Sequence, residues 1–109
     1  MSYNVEYTDE AKADLKKIET SQARQVRKAI EKVSQNPLPK NEGGYGTPLG
    51  NKRGRDLTGL CRIKLLKLGI RIVYKVIREG ETMRIIVIAA RAGDEVYELA
   101  VNRAGSIPV

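Results

Sequence analysis

Alternating apolar and basic residues between positions 61 and 90 constrain the fold most strongly. Residues 61–65 alternate in this way, and a second alternating run, Ile70–Ile77, follows Gly69. Successive side chains of a β-strand point to opposite faces, so each run has one apolar and one largely cationic face. A tight turn at Gly69 would pair the two runs as an antiparallel hairpin. Because a lone hairpin is only marginally stable in water, a third apolar run at 83–90 is expected to complete a three-stranded meander.

The cations of these runs indicate an anionic partner. No acidic residue lies between Leu57 and Arg78, and the chain has 20 Lys+Arg against 13 Asp+Glu, a formal net charge of +7. A basic surface attracts polyanions, but the same residues also fit the solvated face of a half-exposed sheet. Spacing alone leaves both interpretations open. The basic residues in this stretch are Arg62, Lys64, Lys67, Arg71, Lys75 and Arg78.

The first third of the chain predicts a short strand followed by two helices. Tyr3, Val5 and Tyr7 alternate with polar residues, and Thr8 can cap a helix with two acids in its first turn. A second helix must end by Asn36, because Pro37 follows. The two helices are expected to form an antiparallel hairpin lying on the sheet. Their apolar stripes are Ala11, Leu15 and Ile18, and Ala23, Val26, Ile30 and Val33.

Residues 37–59 read as a long loop. They contain three of the four prolines and six of the ten glycines, with Lys52, Arg53 and Arg55 near the end. A loop of this length is typically either functional or disordered, and basic glycine-rich segments serve in both ways.

A last helix is predicted after residue 93, with Asp94 as its cap and Gly105 as its stop. Its apolar face comprises Val96, Leu99 and Ala100, together with Arg103. Tyr97 lies off the centre of that face, where a tyrosine is commonly a half-buried packing residue.

Several classes of chemistry are excluded by composition. The chain has no histidine, so the usual His/Cys zinc sites and every Ser-His or Cys-His catalytic arrangement are absent. The single cysteine, Cys61, is expected to be a buried apolar residue. No signal peptide or membrane span is apparent, and the length suits one domain, so we expect a cytoplasmic protein with a single domain over 1–109.

RNA cleavage is one reaction that the basic face could support. Attack by a ribose 2′-oxygen on its own phosphate needs a proton acceptor, a proton donor and positive charge around the transition state. A lysine among arginines loses its proton more readily, and Lys64 is flanked through the sheet by Arg62 and Arg71. Arginine stays charged and suits a phosphate bidentately. Tyr97 could stack on a base or bond the phosphate.

The sequence resembles the RelE family of bacterial toxins, within the wider RelE/ParE superfamily. The likeness rests on L-x-G-L-C-R-I-K-L at 57–65, G-I-R-I-V-Y at 69–74 and R-A-G-D-E-V-Y at 91–97. The resemblance implies an α+β fold: a small antiparallel sheet, built from the N-terminal strand and the meander, with the helical hairpin on one face and a short C-terminal helix. It also implies a toxin that needs no cofactor or metal and cleaves messenger RNA in the ribosomal decoding site. A RelB-like antitoxin would hold it inactive.

The resemblance assigns roles to particular residues. Lys64 corresponds to the base, Arg91 to the acid, and Tyr97 to the residue that orients the nucleotide. Arg62 stands where active members carry lysine, and Arg71 opens the next strand of the site. Seven further cations are predicted to contact RNA or the ribosome: Lys28, Lys32, Lys52, Arg53, Arg55, Lys67 and Lys75.

Two other functions stay open. Members of the superfamily similar to ParE inhibit DNA gyrase and are not nucleases, and a third possibility is a binding module without activity. ParE-like members typically lack the full set of basic and tyrosine site residues, whereas all five matching positions are present here, so the resemblance favours the nuclease. Neither fold nor motif proves function.

Overall fold

The computed structural model describes residues 2–52, 55–90 and 93–106. Its elements, in chain order, are β1 (Asn4–Tyr7), α1 (Asp9–Lys16), α2 (Thr20–Val33), a 3-10 helix (Lys40–Glu42), β2 (Thr47–Lys52), β3 (Arg55–Leu65), β4 (Ile70–Ile77), β5 (Thr82–Ala89) and α3 (Gly93–Ser106). The α+β class predicted from the sequence is confirmed.

The strands form one mixed sheet in the order β1-β5-β4-β3-β2. Strands β2 to β5 pair antiparallel in succession, which contains the predicted meander of β3, β4 and β5. β1 pairs parallel with β5, so the chain crosses from one edge of the sheet to the other before β2 begins. Gly69, with φ of 66°, lies in the turn between β3 and β4, as expected.

The prediction of a long loop over 37–59 is wrong. This segment holds the 3-10 helix, the whole of β2 and the first five residues of β3, which begins at Arg55. Pro48 is tolerated because β2 is an edge strand, where one missing amide donor leaves no gap in the sheet. Gly50 and Gly59 have positive φ (57° and 87°), and the register shifts between Pro48 and Gly50. The pairing of β2 with β3 is therefore irregular. For this reason the sequence of these strands lacks the regular alternation of apolar and polar residues from which a strand is predicted.

The helical hairpin follows the sequence closely. The Thr8 side chain accepts a hydrogen bond from the Ala11 N–H at 3.1 Å and caps α1, as predicted. α1 ends at Lys16, before Ile18, which still packs against the core. The whole predicted stripe of α2 is buried: Ala23, Val26, Ile30 and Val33.

The C-terminal helix differs at both ends from its predicted bounds. It begins at Gly93, so Asp94 lies in its first turn rather than at the cap, and it continues through Gly105 to Ser106. Glycine lowers helix stability by about 1 kcal/mol relative to alanine, and one glycine in a terminal turn does not end a helix. The predicted apolar face is confirmed by Val96 and Ala100, which are fully buried.

The two faces of the sheet are covered by different helices. One core lies between the helical hairpin and a face that includes Cys61, Ile72 and Ile85. The other lies between α3 and a face that includes Val73 and Val87. In the described residues no helix has the length and apolar character needed to cross a membrane.

Candidate functional site

Alternation along β3 turns its basic residues toward α3. Cys61 is buried in the core beneath the helical hairpin, and Ile63 and Leu65 pack against the same core. Side chains alternate along a strand, so Arg62 and Lys64 point to the opposite face, the one that α3 covers in part. The predicted apolar face is confirmed, whereas the predicted cationic face is mixed: it carries Arg62 and Lys64 but also buries Val73 beneath α3.

Lys64 and Arg71 lie directly opposite each other on β3 and β4. Opposed side chains in an antiparallel pair have Cβ atoms about 5 Å apart and share one face. Lys64 is exposed, whereas Arg71 is half-buried. The structure thus presents an accessible amine beside a guanidinium that is partly withdrawn from water.

Arg62 and Tyr97 are in direct contact. The Arg62 guanidinium donates from Nη1 to the Tyr97 hydroxyl oxygen at 2.5 Å. Tyr97 is a buried member of the core beneath α3, with 7% of its surface exposed. It therefore packs, as its position suggested, and also holds one predicted site residue. Arg62 is two residues from Lys64 on the same face, about 7 Å along the strand.

Arg91, the predicted acid, lies outside the described residues. The strand that leads to it ends at Ala89, whose Cα partner on β4 is Arg71. Lys64, Arg71 and Ala89 therefore form one row across three neighbouring strands.

The predicted RNA-binding cations are dispersed. Lys28 and Lys32 are exposed on α2, which covers the other face of the sheet, and Lys67 is exposed in the turn between β3 and β4. Lys75 pairs with Leu60, away from the row that contains Lys64. Lys52 and Arg55 lie on the backbone of β2 and β3, but their side chains, and Arg53 as a whole, fall outside the described residues.

A surface depression beside Lys64 adds residues that the sequence did not indicate. It has a volume of ≈ 290 Å³ and includes Gln25 of α2 and Leu66, which is 77% exposed. Alternation along the run puts Leu66 on the face of Arg62 and Lys64, but it does not indicate that Leu66 would line a depression. The residues that line the depression are Gln25, Lys64, Leu65, Leu66, Lys67 and Leu68.

Cys61 takes no part in this arrangement. It lies on the opposite face and is 2% exposed, and burial raises the pKa of its thiol. The thiol is therefore neutral at physiological pH, in agreement with its predicted role as a small buried apolar residue.

Solved structures of similar fold define the class of protein. An Escherichia coli RelE toxin double mutant in the free state superposes with a TM-score of 0.72 at 26% identity, covering 94% of this chain and 98% of that one. The Mycobacterium tuberculosis RelBE2 toxin-antitoxin complex matches with a TM-score of 0.68 at 25% identity, over 84% of this chain and 94% of that one. The fold is that of a toxin of RelE/ParE type.

Sequence comparison gives the family. The model of the ParE toxin of the type II toxin-antitoxin system parDE matches residues 5–95, and the chain therefore belongs to this family, within the RelE/ParE superfamily. A protein described as a putative RelE-like toxin from Escherichia coli is 28% identical over 103 residues, covering 94% of this chain and 98% of that protein. The predicted membership of the superfamily is confirmed.

Proposed function

We propose that this type II toxin is an endoribonuclease that cleaves messenger RNA in the ribosomal decoding site. The observation that carries the proposal is the row in which Lys64 stands opposite Arg71, next to an Arg62 that is held by Tyr97. One lysine that can accept a proton and two arginines that can bind a phosphate thereby lie on the same face of the sheet.

The reaction assigns one task to each residue. Lys64 accepts the proton of a ribose 2′-hydroxyl, and the 2′-oxygen forms a bond to the neighbouring phosphorus. Arg71 and Arg62 meet the charge that develops on the phosphate oxygens. The bond from phosphorus to the 5′-oxygen then breaks, and Arg91 donates the proton to that oxygen. The products are a cyclic phosphate and a free 5′-hydroxyl, and no metal or other cofactor is needed.

The proposed partner in the resting state is a RelB-like antitoxin. Two relatives support it: the RelBE2 complex contains toxin and antitoxin, and an E. coli RelE double mutant was solved with a peptide of antitoxin RelBc (TM-score 0.67, 25% identity, 92% of this chain and 95% of that one). A chain with a net charge of +7 is complementary to an acidic segment. Ribosome, messenger RNA and antitoxin would all meet the toxin in the cytoplasm.

Inhibition of DNA gyrase is the second candidate function, because the matching family model describes a ParE toxin. Such inhibition needs a protein-binding surface and gives no reason for an accessible lysine opposite a half-buried arginine.

Expression without antitoxin separates the two candidates. Pulse labelling after induction should show that protein synthesis stops within minutes while DNA supercoiling stays normal, and purified protein should leave gyrase supercoiling activity unchanged. Loss of supercoiling while protein synthesis continues would replace the nuclease proposal with the gyrase one.

A further inference from the structure

One edge of β5 is completed by side chains rather than by a strand. β1 pairs with only the first half of β5, from Thr82 to Ile85. Beyond that point the Ile86 carbonyl accepts a hydrogen bond from Arg103 Nη1 at 2.9 Å, and the Ile88 N–H donates to Asp14 Oδ2 at 3.0 Å. The side chains of Asp14 and Arg103 therefore form hydrogen bonds with backbone groups of β5 that a neighbouring strand would otherwise pair with.

The same two side chains are bonded to each other. Arg103 donates from Nη1 to Asp14 Oδ2 at 2.7 Å and from Nη2 to Asp14 Oδ1 at 3.3 Å. The side chains are only 15% and 12% exposed, and Glu10 Oε2 lies 3.6 Å from Arg103 Nε at the margin. A bidentate guanidinium has fixed geometry, so this contact sets orientation as well as distance.

The pair joins α1, β5 and α3 at the end of the sheet where the candidate site lies. Ile88 immediately precedes Ala89, the Cα partner of Arg71. Arg103 lies six residues after Tyr97 on α3, about 9 Å along the helix axis. Polar contacts of α3 thus include one to Arg62 through Tyr97 and one to α1 and β5 through Arg103.

We propose that Asp14 and Arg103 are positioning residues, which fix α3 along its axis and thereby hold Tyr97 against Arg62. α3 also packs on the sheet through Val96 and Ala100, and apolar contact of this kind is not directional. The bidentate guanidinium of Arg103 adds a directional contact. The effect on cleavage rests on the proposed function, whereas the effect on the contact between Arg62 and Tyr97 does not.

Three variants and one matched control test the proposal. Asp14→Ala removes the carboxylate. Arg103→Lys keeps the positive charge but loses the bidentate guanidinium, and this milder variant can be used if Asp14→Ala does not fold. Tyr97→Phe removes the hydroxyl that Arg62 contacts. Glu6→Gln is the control, because the exposed pair between Glu6 and Arg84, at 3.2 Å, joins β1 to the opposite half of β5.

Nitrogen chemical shifts of the Arg62 side chain measure the contact directly. Asp14→Ala and Arg103→Lys should move these signals in the same direction as Tyr97→Phe, and amides of α3 around Tyr97 should exchange at least several-fold faster. Glu6→Gln should change neither. Unchanged Arg62 signals in folded Arg103→Lys protein would overturn the proposal, whether or not the protein proves to be a nuclease.

Single-turnover cleavage at saturating ribosomes tests the consequence. Asp14→Ala should cleave about tenfold more slowly, since small misplacements of catalytic groups cost one to two orders of magnitude. Ribosome affinity should change less than about twofold, because the pair is largely buried. In a Tyr97→Phe background the same substitution should have little further effect. Equal effects in both backgrounds would show that the pair does not act through Tyr97, and absence of cleavage by the unmodified protein would count against the proposed function instead.

Discussion

Tyr74 connects the sheet to the start of the 37–59 segment, which the sequence predicted to be a long loop. Its side chain is fully buried, and its hydroxyl donates to the Pro37 carbonyl at 2.7 Å. Gly46 passes so close that a Cβ atom there would lie 2.2 Å from the same hydroxyl oxygen. Only glycine fits at this point, and one buried hydrogen bond and one close approach help to hold the segment after α2 against the sheet.

Replacing Tyr74 with phenylalanine should lower the free energy of unfolding by about 1–2 kcal/mol, because the buried Pro37 carbonyl loses its donor. Urea unfolding at neutral pH measures this difference. Gly46→Ala should be more damaging, and part of its cost should disappear in the Tyr74→Phe background, where the clashing oxygen is absent. Equal costs of Gly46→Ala in both backgrounds would contradict the close contact.

The same residue should make stability depend on alkaline pH. Burial raises the pKa of the Tyr74 phenol above its ordinary value. The folded state therefore keeps the proton while the unfolded chain releases it above about pH 10. The stabilising contribution is present below that pH and is lost as the pH rises through the folded value. The stability difference between the protein and Tyr74→Phe should shrink above about pH 10, and a constant difference up to pH 11 would contradict this assignment.

Contacts between residues that lie far apart along the chain could not be predicted from the sequence. Tyr97 reads as a packing residue by its position on the helix, and its bond to Arg62, 35 positions earlier, depends on how α3 crosses the sheet. The contact between Asp14 and Arg103 spans 89 positions and has no local signal at all. Lys64 and Arg71 could be paired in advance because one tight turn fixes their register.

At the scale of elements, the segment between α2 and β2 is held to the sheet by an ion pair. Arg78, just after β4, donates to both Glu42 oxygens at 2.7 Å, and Glu42 belongs to the 3-10 helix. The hydrogen bond from Arg78 lowers the pKa of the Glu42 carboxyl. Both side chains are exposed to solvent, at 57% and 40% of their surface, so the contribution to stability is small.

Acid should remove that contribution. Because the folded-state pKa of Glu42 is lowered, its stabilising effect is present above the ordinary carboxyl value of about 4.3 and is lost as the pH falls through the lower folded value. Glu42→Gln should therefore be less stable than the unmodified protein at pH 7, and the difference should close toward pH 3. Urea unfolding across this range tests it. In an Arg78→Ala background the difference should be absent at every pH, and its persistence there would exclude the ion pair as the cause.

The elements that were predicted correctly are those with uninterrupted periodicity. α2 keeps its apolar stripe from Ala23 to Val33, about three turns. On β4 every second residue from Ile70 to Val76 packs against one core. β2 and the start of β3 were missed because Pro48, Gly50 and Gly59 have little strand preference. β2 and the start of β3 pair with each other, and neither segment carries the apolar alternation from which such a pairing is predicted.

At the scale of the whole molecule, basic residues occupy both sides of the sheet. Lys28 and Lys32 are exposed on α2, over one face, whereas Arg71 and Lys64 lie on the other. Dispersed cations contribute salt-sensitive phosphate contacts, and a cation beside the reacting phosphate acts mainly on the transition state. Attachment to the ribosome and cleavage should therefore be separable.

Neutralising Lys28 and Lys32 together should weaken ribosome binding and flatten its dependence on salt, with a normal cleavage rate at saturation. From sequence we expect the same of Lys52, Arg53 and Arg55. Arg71→Ala should show the converse: nearly normal binding and slow cleavage. Ribosome affinity at several salt concentrations, measured beside single-turnover rates, distinguishes the two classes. Arg71→Ala that binds poorly but cleaves at the normal rate when ribosomes saturate would reverse the assignment.

Cleavage of messenger RNA on programmed ribosomes, with the ends mapped, tests the central claim most directly. The unmodified protein should cut within the decoding site, and Lys64→Ala should reduce the single-turnover rate by roughly 10²-fold to 10⁴-fold, the range for loss of a general base. Lys12→Ala, which removes an exposed lysine from α1 on the other side of the sheet, should leave that rate unchanged. Near-normal cleavage by Lys64→Ala, or no cut by the unmodified protein, would contradict the account.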